Sequence, residues 1–138
     1  MLRSLVHRTR AVRMGRSLSS SATSDGSPLD ADFARDFLAP SSFHQILEDH
    51  DVEFFTGIPD SLLKNYCAYV TDNVEAENHL IAANEGGALA AAAGHYLATG
   101  RTPLVYLQNS GLGNIVNPLL SLSSQHVYGL PALLLIGW

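Results

Sequence analysis

With 138 residues the chain has room for one domain at most, and a content of 46% hydrophobic and 15% charged residues is that of an ordinary packed core. No apolar run approaches the roughly 18 residues that span a bilayer, and Cys67, the only cysteine, excludes a disulfide framework or a thiolate metal cluster. All 13 acids fall in residues 25–138 against Arg35, Lys64 and Arg101, a balance that argues against nucleic-acid binding.

Residues 1–24 hold Arg3, Arg8, Arg10, Arg13 and Arg16, are rich in serine and contain no acid. That is the composition of a mitochondrial transit peptide, hence of a protein destined for the matrix. Leu2, Leu5, Val6 and Val12 share a helical face on which Arg13 intrudes, and Arg16-Ser17-Leu18-Ser19-Ser20 resembles a matrix-processing site cut near Leu18. A disordered basic tail is the alternative reading of the same composition. Residues 25–40 read as a linker and a short helix over 30–38, ended by Pro40. Asp25-Gly26-Ser27 is not a metal-binding turn, because no strand precedes it.

Ser41 and Ser42 are placed to cap the next helix, whose apolar positions are Phe43, Ile46 and Leu47. Val52 to Thr56, β-branched and aromatic, predicts a first strand. The loop Gly57-Ile58-Pro59-Asp60-Ser61 follows, and then Leu62, Leu63, Tyr66, Cys67 and Val70 recur at helical spacing. In that pattern Cys67 reads as a buried, inert thiol. Residues 79–83 predict a second strand, and Asn84 can cap a helix with the face Leu89, Ala92, Ala93, Tyr96 and Leu97 that stops at Gly100. Thr102 to Leu107 predicts a third strand, and the loop Gln108-Asn109-Ser110-Gly111-Leu112-Gly113-Asn114 opens a helix through Ile115, Leu119 and Leu122. Pro118 should kink that helix or restart it at Asn117, and Ala132 to Ile136 predicts a fourth strand.

The order β-α-β-α-β-α-β with nearly continuous apolar strands predicts an α/β fold: a parallel sheet with helices on both faces. Ligands in such folds bind beyond the carboxyl ends of the strands. The three loops after the first three strands lie there, bringing two carboxylates, Asp60 and Glu85, to one rim. Read alone, Glu85 is equally an acid that offsets a helix dipole, and solvated loops would share the same composition. No phosphate-loop or nucleophile-elbow motif is present, and the six histidines show no ligand spacing.

Residues 43–138 resemble the N-terminal, pyrimidine-binding domain of thiamine diphosphate enzymes. Phosphonopyruvate decarboxylase and the sulfopyruvate decarboxylase α subunit match best. The strings that carry the resemblance are Phe54-Phe55-Thr56-Gly57-Ile58-Pro59-Asp60-Ser61-Leu62-Leu63-Lys64, Ala82-Ala83-Asn84-Glu85-Gly86, Gln108 to Asn114 with Asn117-Pro118, and Leu133 to Trp138. The resemblance implies thiamine diphosphate as cofactor and a 2-oxo acid as substrate, most closely phosphonopyruvate, cleaved to phosphonoacetaldehyde and carbon dioxide. It implies that Glu85 hydrogen-bonds N1′ of the aminopyrimidine and acts in catalysis, and that Asp60 orients substrate or handles a proton. It further implies cofactor contacts at Gly57, Pro59, Asn109, Gly111 and Gly113, and substrate contacts at Asp60, Ser61, Ser110 and Asn114.

The family binds Mg²⁺ and diphosphate through Gly-Asp-Gly and a later asparagine on a second domain, and neither element is present here. The chain also ends after its fourth strand, where the family's domain continues, so residues 41–138 are expected to be an incomplete domain. A diphosphate-binding domain or subunit, in a homo- or hetero-oligomer, is the implied partner. The alternative is a truncated, non-catalytic domain that associates with a full-length homologue.

Overall fold

A computed structural model describes residues 38–138. The elements are α1 (Pro40–Glu48), β1 (Phe55–Gly57), α2 (Lys64–Asn73), β2 (His79–Ile81), α3 (Glu85–Thr99), β3 (Leu104–Gln108), α4 (Leu112–Pro118) and β4 (Leu133–Gly137). A 3-10 turn, Asn109–Gly111, leads into α4, and a π-helical turn, Leu119–Ser123, follows it. All strands are parallel, in the order β2-β1-β3-β4. The order reverses at β1, so the chain crosses from β2 over β1 to reach β3.

The sheet is covered on both faces, as the sequence pattern predicts. On one face Leu47, Val52, Phe55, Tyr66, Val70, Leu104 and Tyr106 form a core under α1 and α2. On the other, Val105 and Leu107 of β3 pack with Ala88, Leu89 and Ala92 of α3 and Ile115 of α4. Successive β3 residues therefore serve opposite cores, the period of two that a strand imposes. Burying each such aliphatic side chain stabilises the fold by ~1.5–3 kcal/mol.

Several boundaries differ from expectation. Pro40 opens α1, with Ala39 as N-cap, and neither Ser41 nor Ser42 caps it. Proline suits the first helical position because its fixed φ is already helical and its missing N–H would be unpaired there anyway. The expected transit peptide and almost all of the linker and short helix lie outside the described residues. β1 starts later than its apolar run and extends through Gly57, while β2 stops at Ile81. Asn84 caps α3 as expected, its side chain accepting from Gly87 N at 2.8 Å, and Gly100 ends α3 in the left-handed conformation at φ 73°. Pro118 does not restart the helix at Asn117: it closes α4, and the chain widens there into the π turn, with Ser124 N bonding Leu119 O at 3.1 Å. A proline has no N–H for the carbonyl four residues back, so the ladder must change register there.

Gly57 is fixed by a close approach. A Cβ there would lie 2.6 Å from Tyr106 Cδ2 and 2.8 Å from the Tyr106 carbonyl carbon, and closer still to its oxygen. The Tyr106 ring passes across β1 at this gap and its hydroxyl meets His79 Nε2 on β2 at 2.8 Å. Burial pushes the Tyr106 hydroxyl up to about 12, with the nearby Cys67 adding to the effect, and burial lowers His79. Both shifts favour the pair in which hydroxyl and imidazole are each neutral. The result is a side-chain brace between β2 and β3 over the central strand.

Candidate functional site

The carboxyl ends of the strands are Gly57, Ile81, Gln108 and Gly137, and every expected site residue lies in the segments that leave the first three of them. Glu85 is the first residue of α3. The extended backbone of Asn84 turns the chain from β2 into the helix and leaves the Glu85 side chain at the rim. Glu85 is half-buried, and its Oε2 accepts a hydrogen bond from Asn114 Nδ2 at 2.7 Å. The rest of its carboxyl group lies on Gly111, where a Cβ would come within 2.7 Å of Glu85 Cδ and 2.8 Å of Cγ. Gly86 meets the same segment, since a Cβ there would lie 2.9 Å from the Asn114 carbonyl oxygen. The expected loop Gln108 to Asn114 is helical from Asn109 on, with Asn109–Gly111 the 3-10 turn and Gly113 and Asn114 in the first turn of α4. That turn and the start of α3 interlock around one carboxylate.

Asp60 has a different seat. It is 6% exposed, its Oδ2 accepts from Leu62 N at 3.0 Å, and it lies against Gly137 at the end of β4. Its Oδ1 is buried without a hydrogen-bond partner. A buried carboxylate oxygen left unpaired is costly, about 1–3 kcal/mol or more, and a ligand donor would relieve that cost. Both acids lie beyond the strand ends as expected, but on separate neighbours: Glu85 on the 3-10 turn and the start of α4, Asp60 on the end of β4.

The other expected residues divide by exposure. Pro59, Ser61, Ser110, Gly113 and Asn114 are exposed, Asn109 is half-buried, and Gly57 and Gly111 are buried. Nothing stands within 4 Å of a Cβ built at Gly113, so the protein itself does not require glycine there. Sequence reading gives no sign of the Asn114–Glu85 pair, whose members are 29 residues apart, or of Gly137 as the seat of Asp60. A glycine closing the run Leu133 to Ile136 is the one available hint of a close approach.

A cavity of about 390 Å³ lies at the other end of the sheet, lined by residues that include His44, Glu48, Glu53, Asn73, Glu75 and Asn78. It holds none of the loop residues, and the rim beyond the carboxyl ends of the strands is the better candidate site. Among the described residues, no group of three or more His, Cys, Asp and Glu side chains could hold a metal ion.

Comparison with known proteins gives the rim a context. Sulfopyruvate decarboxylase subunit alpha of Methanococcus maripaludis is 33% identical over 98 residues, covering 71% of this chain and 56% of the relative. The subunit of the same name from Methanocaldococcus jannaschii is 32% identical over 95 residues, covering 69% and 54%. The chain thus spans about half the length of the curated relatives it matches. A solved structure described as a thiamin diphosphate-dependent enzyme from Mycobacterium smegmatis has the same fold, with a TM-score of 0.58 at 22% identity over 74% of this chain and 19% of that one. Residues 41–138 match the model of the thiamine pyrophosphate enzyme N-terminal TPP binding domain. Because that match takes in all four strands and all three loops, the chain belongs to the thiamine pyrophosphate enzyme family, whose N-terminal TPP binding domain it carries.

Proposed function

We propose that this chain forms the aminopyrimidine side of a thiamine diphosphate-dependent 2-oxo acid decarboxylase, completed by a domain or subunit that binds Mg²⁺ and diphosphate. The observation that carries the reading is Glu85: a carboxylate at the start of α3, one oxygen hydrogen-bonded to Asn114, the other without a hydrogen-bond partner among the described residues. That donor set fits an aminopyrimidine, whose ring nitrogen needs a carboxyl group able to give and take a proton. Gly86 and Gly87 beside it add no side-chain bulk. When bound, the cofactor supplies a nucleophilic carbon and an electron sink for the departing carboxylate.

The chain's own residues hold and move protons and exclude bulk. Glu85 exchanges a proton with the ring nitrogen, a role that contributes typically ~10²–10⁴-fold in rate. Asp60, buried against Gly137 at the end of β4, is the second acid of the rim and orients substrate or handles a proton. Ser61 and Ser110 add exposed hydroxyl donors for an anionic group. Phosphonopyruvate is the substrate given by the loop resemblance. Sulfopyruvate is the second reading, favoured by the names of both curated relatives. The arginine-rich, acid-free residues 1–24 support import into the mitochondrial matrix, and cleavage near Leu18 by isolated mitochondria is the expected outcome of an import assay.

The test is calorimetry of thiamine diphosphate with Mg²⁺ on the 138-residue chain, alone and mixed with a diphosphate-binding domain, followed by release of carbon dioxide from each of the two acids. Binding only in the mixture, lost in Glu85→Gln, is the expected result. Failure to bind in the mixture would sink the enzymatic reading and leave a non-catalytic domain that associates with a homologue.

A further inference from the structure

We infer that Asn114 is a positioning residue for Glu85, determining which carboxylate oxygen trades a proton with the aminopyrimidine. The inference deepens the proposed function and rests on it. Asn114 Nδ2 lies 2.7 Å from Glu85 Oε2, the length of a charge-assisted hydrogen bond. An ionised carboxylate only accepts, so the amide must turn its NH₂ toward Glu85 and its own oxygen away. The bond occupies Oε2. The rest of the carboxyl group, Oε1 included, rests on Gly111, where a side chain would collide with Oε1 first and then with Cδ and Cγ; Oε1 has no hydrogen-bond partner among the described residues, and the glycine is what leaves it room.

Asn114 is itself held in place. Its carbonyl oxygen abuts Gly86, the residue after Glu85. Its usual helical donor would be the residue four positions on, which is Pro118 and has no N–H. Pro118 also reaches the same spot, its Cγ 3.9 Å from a Cβ built on Gly86. The first turn of α3 is therefore gripped by Asn114 through main chain and side chain together.

The chemical consequence is directional. The Asn114 N–H stabilises negative charge on Oε2 and resists rotation of the carboxylate. The proton then goes on and off at Oε1: the Oε1–H bond breaks as a ring N–H bond forms, and the reverse transfer restores it, with no net change in electrons. Asn114 acts through Glu85 and touches neither reacting atom, so it is distinct from a substrate contact.

Two readouts besides turnover test this. In the ¹⁵N-labelled 138-residue chain, one Asn114 side-chain amide proton should resonate downfield and return toward the free-amide position in Glu85→Gln. An unshifted resonance would overturn the pairing. In the mixture with a diphosphate-binding domain, affinity is measured for thiamine diphosphate and for its analogue with carbon in place of N1′. The ratio of the two affinities reads the Glu85–N1′ contact. Asn114→Ala should cut that ratio about tenfold, the order expected for one hydrogen bond to a charged group. Asn114→Gln should restore part of it, and thermal melts should confirm folded variants. A ratio lost in Glu85→Gln but kept in Asn114→Ala would overturn the inference and leave the proposed function standing. Equal affinity for the two compounds in the unmutated chain would overturn both.

Discussion

Replacing Gly111 with alanine should separate function from folding. The new Cβ would stand 2.7 Å from Glu85 Cδ and 2.8 Å from Cγ, whereas carbon atoms rest at about 3.5–4.0 Å. The carboxyl group must retreat by about 1 Å, which breaks its 2.7 Å bond from Asn114. The colliding atoms belong to the end of a half-exposed side chain, so the backbone need not move. At φ −80° and ψ −8°, Gly111 has a conformation that alanine adopts freely. The shorter menu of unfolded conformations adds ~0.4–1 kcal/mol of stability, against ~1.5–3 kcal/mol for the lost hydrogen bond to a charged group. Urea denaturation should therefore show a loss of about 0.5–2.5 kcal/mol, with the chain still folded. Turnover in the complemented enzyme should fall about 10²-fold, the effect of misplacing a catalytic group by that distance. Unchanged turnover would mean that the observed Glu85 position is not the working one. A collapse of stability would mean that the collision falls on the backbone after all.

Gly57→Ala should behave in the opposite way, because its Cβ meets the main chain of Tyr106 on a paired strand; a loss of about 3 kcal/mol or more in urea titration is expected, and a near-neutral result would refute the close approach. Stability should also fall with acid through His79 and His95, whose pKa values burial lowers. A histidine that folds as the neutral ring contributes stability above its unfolded value, near 6.5, and loses it as the pH drops through that value to the folded one. His79→Gln should flatten the slope of stability between about pH 7 and 5, and an unchanged slope would show that His79 is not a source of it.

Most of the fold was legible in the sequence because it rests on local signals. Apolar runs punctuated by glycine and asparagine gave the order of strands and helices, and the Asn84 cap and Gly100 stop have side-chain and backbone causes contained within a few residues. Boundaries were less legible. Pro40 and Pro118 each admit more than one helical role, and the choice depends on what packs beside them. The rim was legible as a place, since parallel topology puts all three loops there. Its pairings were not. Glu85 with Asn114, and Asp60 with Gly137, are products of strand order and register, and no spacing rule joins residues that far apart in the chain.

The Tyr106–His79 brace bears on how the site keeps its shape. Tyr106 stands two residues before the end of β3, which launches the segment of Gly111 and Asn114, and His79 begins β2, which delivers Glu85. The two segments that interlock around the carboxylate thus spring from strands already tied together inside the core. The distance between Glu85 and its neighbours is referenced to the sheet, as a caliper's jaws are to its beam, and the turns that follow the strands inherit it.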